Sequence, residues 1–503
     1  MFAGSSRNAL KQPLAPLALA TAIALIYLIW APVSIDLQAH IFRVGLFDGD
    51  GFALFNTRWY QGHYTLDYSV LYPPLAWLFG LRLLAAISLL TAVLCFDRLT
   101  VAGFGRGSAS LVASLWFALG ATTSLFTGRL PYALGLAIAL ASLLAFVRGR
   151  TAVAVAVGVL ATLASPVAGL FLALAGGAIA LDKLLPRSGE RLNLRAGVRA
   201  AAPAVALFAA GLIPIFVLAW LFPEGGTQPY KLQPIYIPVL VALPIIFAAA
   251  LRRSRPIAIG TAVYALGLLM ALLIETPVGS NAARLGAMFA GPILALLLLP
   301  KRWWIVAVLA LPLMASQLYD GYRDTADVID DPAATAGFYQ PLNAFLESNG
   351  AALKRTEVVF TKAHGEAAYI ANRFPIARGW ERQLDTLYNP LFYEPNLTRQ
   401  KYQQWLLSKG ISYVALSNAH ADFSARAEAA LVRSKLPYLH PVFQSKNWQV
   451  FSVDQTPGLT STGMRLTRLG VDSFAAHAQS GRSLLRIHYT PYWQVKKGAV
   501  CVR

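Results

Sequence analysis

The chain has 503 residues, 56% of them hydrophobic and only 13% charged, about half the charged share of an ordinary soluble domain, which excludes a soluble globular protein over most of its length. Its formal charge of +19 raises the question of nucleic acid. The basic residues, however, stand in short runs between apolar segments, as topology signals do, so the partner implied is a lipid bilayer and no nucleic acid. Cys95, inside an apolar span, and Cys501, at the tail, suggest neither a disulfide nor a metal site.

In chain order, Arg7 and Lys11 precede a first span from Pro13 to Ile35, which places the N-terminus in the cytoplasm and the loop beginning at Asp36 outside. No small-residue cleavage pattern follows Ala31, so this span does not read as a signal peptide. Further spans are predicted from Leu75 to Phe96, Ser108 to Phe126 and Pro131 to Val147. The run from Thr151 to Leu181 is long for one helix, and Ser165 and Pro166 divide it into two spans joined by an outer turn.

The most basic loop follows, with Lys183, Arg187, Arg191, Arg195 and Arg199, and reads as cytoplasmic. The remaining spans are Ala200 to Phe222, Pro238 to Leu251, Pro256 to Ile274, Leu285 to Leu299 and Trp303 to Leu318. That makes about eleven in all, an odd number that puts the C-terminal third outside the membrane. From Asp320 the composition becomes that of a soluble domain. Strands are predicted at Thr356 to Phe360, Ser412 to Leu416 and Trp448 to Val453, with an amphipathic helix at Ala425 to Lys435. Leu484 to Tyr489 and Tyr492 to Val495 read as further β-sheet. The predicted fold class is therefore mostly α, a polytopic membrane protein with a C-terminal extracytoplasmic α/β plus β-sheet domain. The predicted division is 1–318 for the membrane body, 319–456 for the α/β domain and 457–503 for a β-rich end.

The first outer loop concentrates the polar chemistry. If Asp36 to Arg43 is helical, Asp36, His40 and Arg43 share one face, since positions three or four apart are neighbours. Such a face offers a carboxylate base, an imidazole and a fixed cation, which a transfer from a phosphate-linked donor needs. It is equally the pattern of an interfacial amphipathic helix. Asp48 and Asp50, flanking Gly49, read as additional carboxylates, as part of a divalent-metal site, or as an ordinary Asp/Gly turn. Trp59, Tyr60, Tyr64 and Tyr68 suit either the face of a sugar ring or an interfacial aromatic belt, and His63 is a further candidate for the sugar or acceptor, with no partner at ligand spacing to make it a metal ligand.

Four arginines are candidates for an anionic group. Arg82 is expected about two turns into the second span, where a charge faces a polar cavity or snorkels. Arg129 and Arg284 fall in outer turns, where the positive-inside rule leaves few basic residues. Arg43 belongs to the first loop.

The loop with Asp36 directly after span one, the multi-span body and the outer C-terminal domain together resemble the C-type (GT-C) membrane glycosyltransferases. More closely, Asp36 to Arg43, Trp59 to His63, Tyr68 to Leu75, Phe126 to Tyr132, Ser165 to Val167 and Pro277 to Leu285 are similar to actinobacterial envelope proteins of that kind. So are Ala377 to Asp385, Asn389 to Tyr393 and Tyr402 to Leu406.

The resemblance implies transfer of a sugar from a polyprenyl-phosphate donor to a cell-envelope glycan or lipid acceptor outside the cytoplasmic membrane. It implies Asp36 as base, an inverting step, and arabinofuranose or mannose as the sugars to try. Arg284 and then Arg129 are the choices for the donor phosphate, with Trp380, Arg382 and Asp385 near the acceptor. Many relatives carry two adjacent acidic residues in the first loop. Here Leu37 follows Asp36, which leaves the need for a divalent cation, magnesium or manganese, open. A lipid-linked sugar flippase and a non-catalytic assembly protein are the alternatives to an enzyme.

Overall fold

The computed structural model describes residues 14–186, 193–230, 232–299 and 301–502; Arg7, Lys11, Pro13, Arg187 and Arg191 lie outside them. The chain divides into two units, one of residues 1–37 and 66–329, the other of residues 38–65 and 330–503.

The first unit opens with α1 (Ala15–Trp30), and α2 (Leu37–Asp50) then carries the chain into the second. On its return the chain forms α3 (Tyr72–Phe79), α4 (Leu81–Phe104), α5 (Ser108–Ala121), α6 (Thr123–Phe126) and α7 (Leu130–Val147). α8 (Thr151–Ala164), α9 (Pro166–Leu184), α10 (Leu194–Leu221) and α11 (Ile237–Ala250) follow, then α12 (Arg255–Leu273), α13 (Ala283–Leu298) and α14 (Trp303–Val328). Among the described residues, eight helical segments are long and apolar enough to cross a membrane, and three shorter apolar helices, Ala15–Trp30, Thr151–Ala164 and Pro234–Ala250, accompany them. This is a polytopic membrane protein.

Small residues set the helix spacing, because lipid supplies no hydrophobic drive between helices and close van der Waals contact must do so. At Gly211 a side chain would collide with the Gly169 carbonyl and come within 2.7 Å of Ala173 N, so α10 can lie directly on α9 only without one. The break between α8 and α9 falls at Ser165, whose φ of −157° is extended and leads into Pro166 at the first helical position. Ser69 Oγ donates to the Ala164 carbonyl at 2.7 Å, which covers one of the acceptors that the end of α8 leaves open.

Two helices depart from the expected bounds. The second span does not start inside a continuous helix: Gly80, at φ +83°, separates α3 from α4. Arg82 is thus the second residue of α4, not two turns into a span, and its Nη1 donates to the Pro32 carbonyl at 3.1 Å beside the Tyr27 ring. α14 continues to Val328, ten residues beyond Leu318, and carries Asp320 and Asp324 in helix.

The second unit is built on a four-stranded sheet. Its strands are β3 (Arg355–Val358), β4 (Ile411–Ser417), β5 (Leu439–Gln444) and β6 (Trp448–Val453), after the short pair β1 (Phe55–Asn56) and β2 (His63–Tyr64). The order is β3-β4-β6-β5, with β3 parallel to β4 and the other pairs antiparallel. Around it lie α15 (Ala336–Ser348), α16 (Glu366–Tyr369), α17 (Arg382–Tyr388), α18 (Arg399–Ser408) and α19 (Arg426–Arg433). Val414, Leu416, Tyr402, Leu406 and Val432 pack together in its core.

The β structure of the tail is a hairpin of β7 (Met464–Leu469) and β8 (Phe474–Ala478). Leu484 to Tyr489 and Tyr492 to Val495, read as strands from their apolar alternation, form none beyond an isolated bridge at Leu485 to Thr460. Their alternating side chains serve loop packing instead, with Trp493 edge-on to Phe474 at 5.4 Å.

Candidate active site

In the first unit the polar residues converge on Arg129, in the turn between α6 and α7. The turn approaches the chain at Asp36 because residue 128 is glycine: its φ is +78°, and a side chain there would strike Ser34 Oγ and come within 2.6 Å of Leu37 N. Arg129 Nη1 is 2.9 Å from Asp320 Oδ2, its Nε 3.5 Å from Asp36 Oδ2 and its Nη2 4.0 Å from Asp324 Oδ2. Burial works against the charge on Arg129, but the carboxylates of Asp320, Asp36 and Asp324 outweigh it and push its pKa further up. Tyr236 donates to Asp320 Oδ2 at 2.9 Å, and Arg323 grips Asp324 Oδ1 with two nitrogens at 2.8 and 3.1 Å.

Arg284, on α13, lies over the face of Tyr132 with 5.4 Å from guanidinium to ring centre. It feels the charges of Arg129 and Asp36 and the hydroxyl of Tyr68. Among the described residues no carboxylate forms an ion pair with it. Arg129, Arg284, Tyr132, Tyr236, Gln317 and Asp320 border a small cavity of about 30 Å³. Thr123, on the same wall, also lines an apolar groove of about 500 Å³ bounded by Trp30, Phe126, Leu318, Tyr322 and Ile329. The site thus offers two guanidiniums, a partly exposed carboxylate and an adjoining apolar channel.

The first-loop residues are distributed otherwise than expected. Asp36 belongs to the first unit, whereas His40 and Arg43 are buried in the second, where Arg43 Nη2 pairs with Glu381 Oε2 at 2.6 Å. Asp48 and Asp50 occupy the exposed last turn of α2. Trp59 and Tyr60 are fully buried, Trp59 stacked on Phe42 at 4.2 Å and on His63 at 5.6 Å. The Tyr60 hydroxyl donates to the Gly379 carbonyl and accepts from Glu381 N at 2.8 Å. These aromatics are therefore core, neither a sugar platform nor an interfacial belt, because burying them is worth about 1.5–3 kcal/mol each. Burial, helped by the nearby Arg43 charge, lowers the His63 imidazole to about 3, so it stays neutral.

The Trp380 to Asp385 segment separates in the same way. Asp385 is buried and takes both Nε and Nη2 of Arg378 at 3.0 and 2.6 Å, so it cannot meet an acceptor. Trp380 stacks on His364 at 3.6 Å and keeps part of its surface. Arg382, 20% exposed, pairs with Asp422 at 3.1 Å and lies between the rings of Trp380 and Phe423.

The residues do not fit a divalent cation. The oxygens of Asp320 and Asp324 are engaged by Arg129 and Arg323, and among the described residues no three His, Cys, Asp or Glu side chains form a metal-binding group.

Sequence reasoning missed Asp320, Asp324, Tyr236 and Gln317. The signal was present as two acids four apart in a stretch still helical in period, but it lay past the apolar end of the span.

No family model matches the sequence, and no curated protein matches it either. Among solved structures, the chain is similar to the arabinofuranosyltransferase AftD from mycobacteria, at TM-score 0.54 and 17% identity over 88% of this chain. At that identity the likeness is one of fold. The chain spans 40% of the length of that mycobacterial protein. The oligosaccharyltransferase of Archaeoglobus fulgidus is a more distant likeness, at TM-score 0.48 and 12% identity over 88% of this chain and 74% of its own.

Proposed function

We propose that the protein is a membrane glycosyltransferase that moves a sugar from a polyprenyl-phosphate donor to a cell-envelope glycan or lipid acceptor outside the cytoplasmic membrane. The observation that carries this reading is the juxtaposition in one unit of a partly exposed carboxylate, Asp36, with Arg129 and Arg284 beside an apolar groove. A lipid phosphate requires a cation at the end of an apolar channel, and Arg284 suits it better than Arg129, whose charge is already taken up by carboxylates. The likeness in fold to an arabinofuranosyltransferase makes arabinofuranose the first sugar to try and mannose the second.

In the reaction Asp36 takes the proton of an acceptor hydroxyl, and the hydroxyl oxygen attacks the anomeric carbon. The bond from that carbon to the phosphate oxygen breaks on the opposite side, with inversion. The electron pair leaves on the polyprenyl phosphate, whose charge Arg284 stabilises. Trp380 and Arg382 retain exposed surface and are the residues of the second unit we assign to the acceptor. Sidedness follows the charge pattern of the loops, with the N-terminus cytoplasmic and the second unit extracytoplasmic.

The test is transfer of labelled sugar from polyprenyl-phosphate donors by the wild type and Asp36→Asn in parallel. Transfer is expected to fall by about 10²–10⁴-fold in the variant, with an unchanged melting temperature. Retained transfer in Asp36→Asn would falsify the base assignment. Donor translocation by both proteins without transfer would assign a flippase instead.

A further inference from the structure

Arg129 is shared by three carboxylates, and the distances rank them. Asp320 makes the hydrogen bond at 2.9 Å, and Tyr236 fixes the same oxygen from the other side at 2.9 Å. Asp36 stands at 3.5 Å from Arg129 Nε, and that nitrogen makes no hydrogen bond. Asp324 is farther, at 4.0 Å, and is itself held by Arg323. Exposure ranks them differently: the Asp36 side chain is 34% exposed, Asp320 14% and Asp324 9%. The most accessible carboxylate is thus not the one the guanidinium is bonded to.

That division has a chemical consequence. An opposite charge within about 4–6 Å favours the ionised carboxylate by about 1–3 pKa units and makes it a correspondingly poor proton acceptor. A base facing an arginine alone would be held in position but disabled. Here Asp320 holds Arg129 and Asp324 is held by Arg323, so Asp36 does not carry the Arg129 guanidinium by itself.

We propose that Asp320 is a positioning residue for the base: by taking the Arg129 hydrogen bond, it leaves the guanidinium near enough to orient Asp36 but not to neutralise it. This rests on the reading of Asp36 as the base. The charged groups that face Asp36 are Arg129 from the turn before α7, Asp324 from α14 and Arg284 from α13. Asp320, Arg323 and Tyr236 act on it through Arg129 and Asp324. Asp320 accordingly contributes to the reaction through Arg129.

The experiment is the pH profile of kcat/KM for sugar transfer by the full-length wild type, Asp320→Asn, Asp320→Glu and Arg129→Gln. In Asp320→Asn the freed guanidinium turns to Asp36. The acid limb should move down by about one pH unit, and the plateau should fall by about tenfold. Arg129→Gln should move the limb up, and Asp320→Glu should restore the wild-type limb. The position of the limb does not depend on the fraction of protein folded, so a merely structural role would lower the plateau and leave the limb in place. That result, or an unchanged profile, overturns the proposal. If the wild type transfers and Asp36→Asn does not, an unmoved limb in Asp320→Asn overturns the positioning role alone. If the wild type transfers nothing, the base reading fails and takes this inference with it.

Discussion

Each unit contains an arginine surrounded by three carboxylates, and the two clusters are built in opposite ways. In the second unit Arg378 is 1% exposed and bonded through two nitrogens to Asp385, with Glu428 at 3.3 Å and the rings of Phe360 and Phe392 at 3.9 and 4.0 Å on its faces. Tyr402 donates to the other oxygen of Glu428 at 2.8 Å. Burial pushes Glu357 and Glu428 upward, Glu428 to about 7, so the pair retains a proton and the cluster approaches neutrality. In the first unit one ion pair around Arg129 is close and two are long, one nitrogen is unbonded, and Asp36 is a third exposed. A cluster buried this completely is closed to a ligand and holds the fold. A loosely paired one, beside a cavity, retains capacity for chemistry.

The largest effect that sharpens this contrast belongs to Arg378. Arg378→Leu leaves buried carboxylates without their cation and should destabilise the second unit by about 3–5 kcal/mol, read by denaturant unfolding monitored through tryptophan fluorescence. Arg129→Gln should change that unfolding little. Equal destabilisation by both would mean that the Arg129 cluster is structural as well.

A middle-sized effect is expected at Arg284. A charge-assisted hydrogen bond to phosphate is worth about 1.5–3 kcal/mol, so Arg284→Gln should weaken binding of a polyprenyl phosphate by about tenfold to a hundredfold. Titration calorimetry in detergent checks this. Unaltered affinity, with affinity lost in Arg82→Gln or Arg43→Gln, would move the phosphate site elsewhere.

The smallest effect is a pH dependence of stability in the second unit, because its histidines oppose one another. His63, lowered to about 3 by burial and the Arg43 charge, must stay neutral: its contribution is complete above the ordinary imidazole pKa of about 6.5 and is lost as the pH falls toward 3. His364 is raised instead, since Asp422 and Glu366 on its two nitrogens, at 3.4 and 3.3 Å, overcome its burial. Its contribution is present below the ordinary value and is lost as the pH rises through its raised pKa. Melting temperatures of His63→Gln and His364→Gln between pH 4 and about pH 8 should therefore change slope in opposite directions. Slopes that change together would remove the distinction between a buried neutral imidazole and a paired one.

Much of the fold was legible from residue pattern, and less of the site. The apolar spans, the break at Ser165 and Pro166, and the strand at Trp448 to Val453 follow from hydropathy, proline stereochemistry and apolar period, which are local properties. Arg129 and Arg284 stand out in the sequence because, in the turns that the charge pattern predicts to be outer, a cation has no topological explanation. Trp59, Tyr60 and His63 misled because an aromatic residue in a polar loop looks the same in sequence whether it faces water or a core contributed by residues 330–503. Asp385 misled for the same reason, its partner Arg378 being indistinguishable in sequence from an exposed arginine.

By itself, then, the sequence determined the membrane class, the apolar spans and the presence of a separate α/β region, since burial in lipid or in a sheet imposes a composition on each short segment. Only the tertiary structure decided which charges meet. Asp36, Arg129, Arg284 and Asp320 are separated by tens to hundreds of residues, and their pairing depends on helix packing and on the close approach that Gly128 permits. Electrostatic function is a property of distances between elements, and one-dimensional spacing carries no record of them.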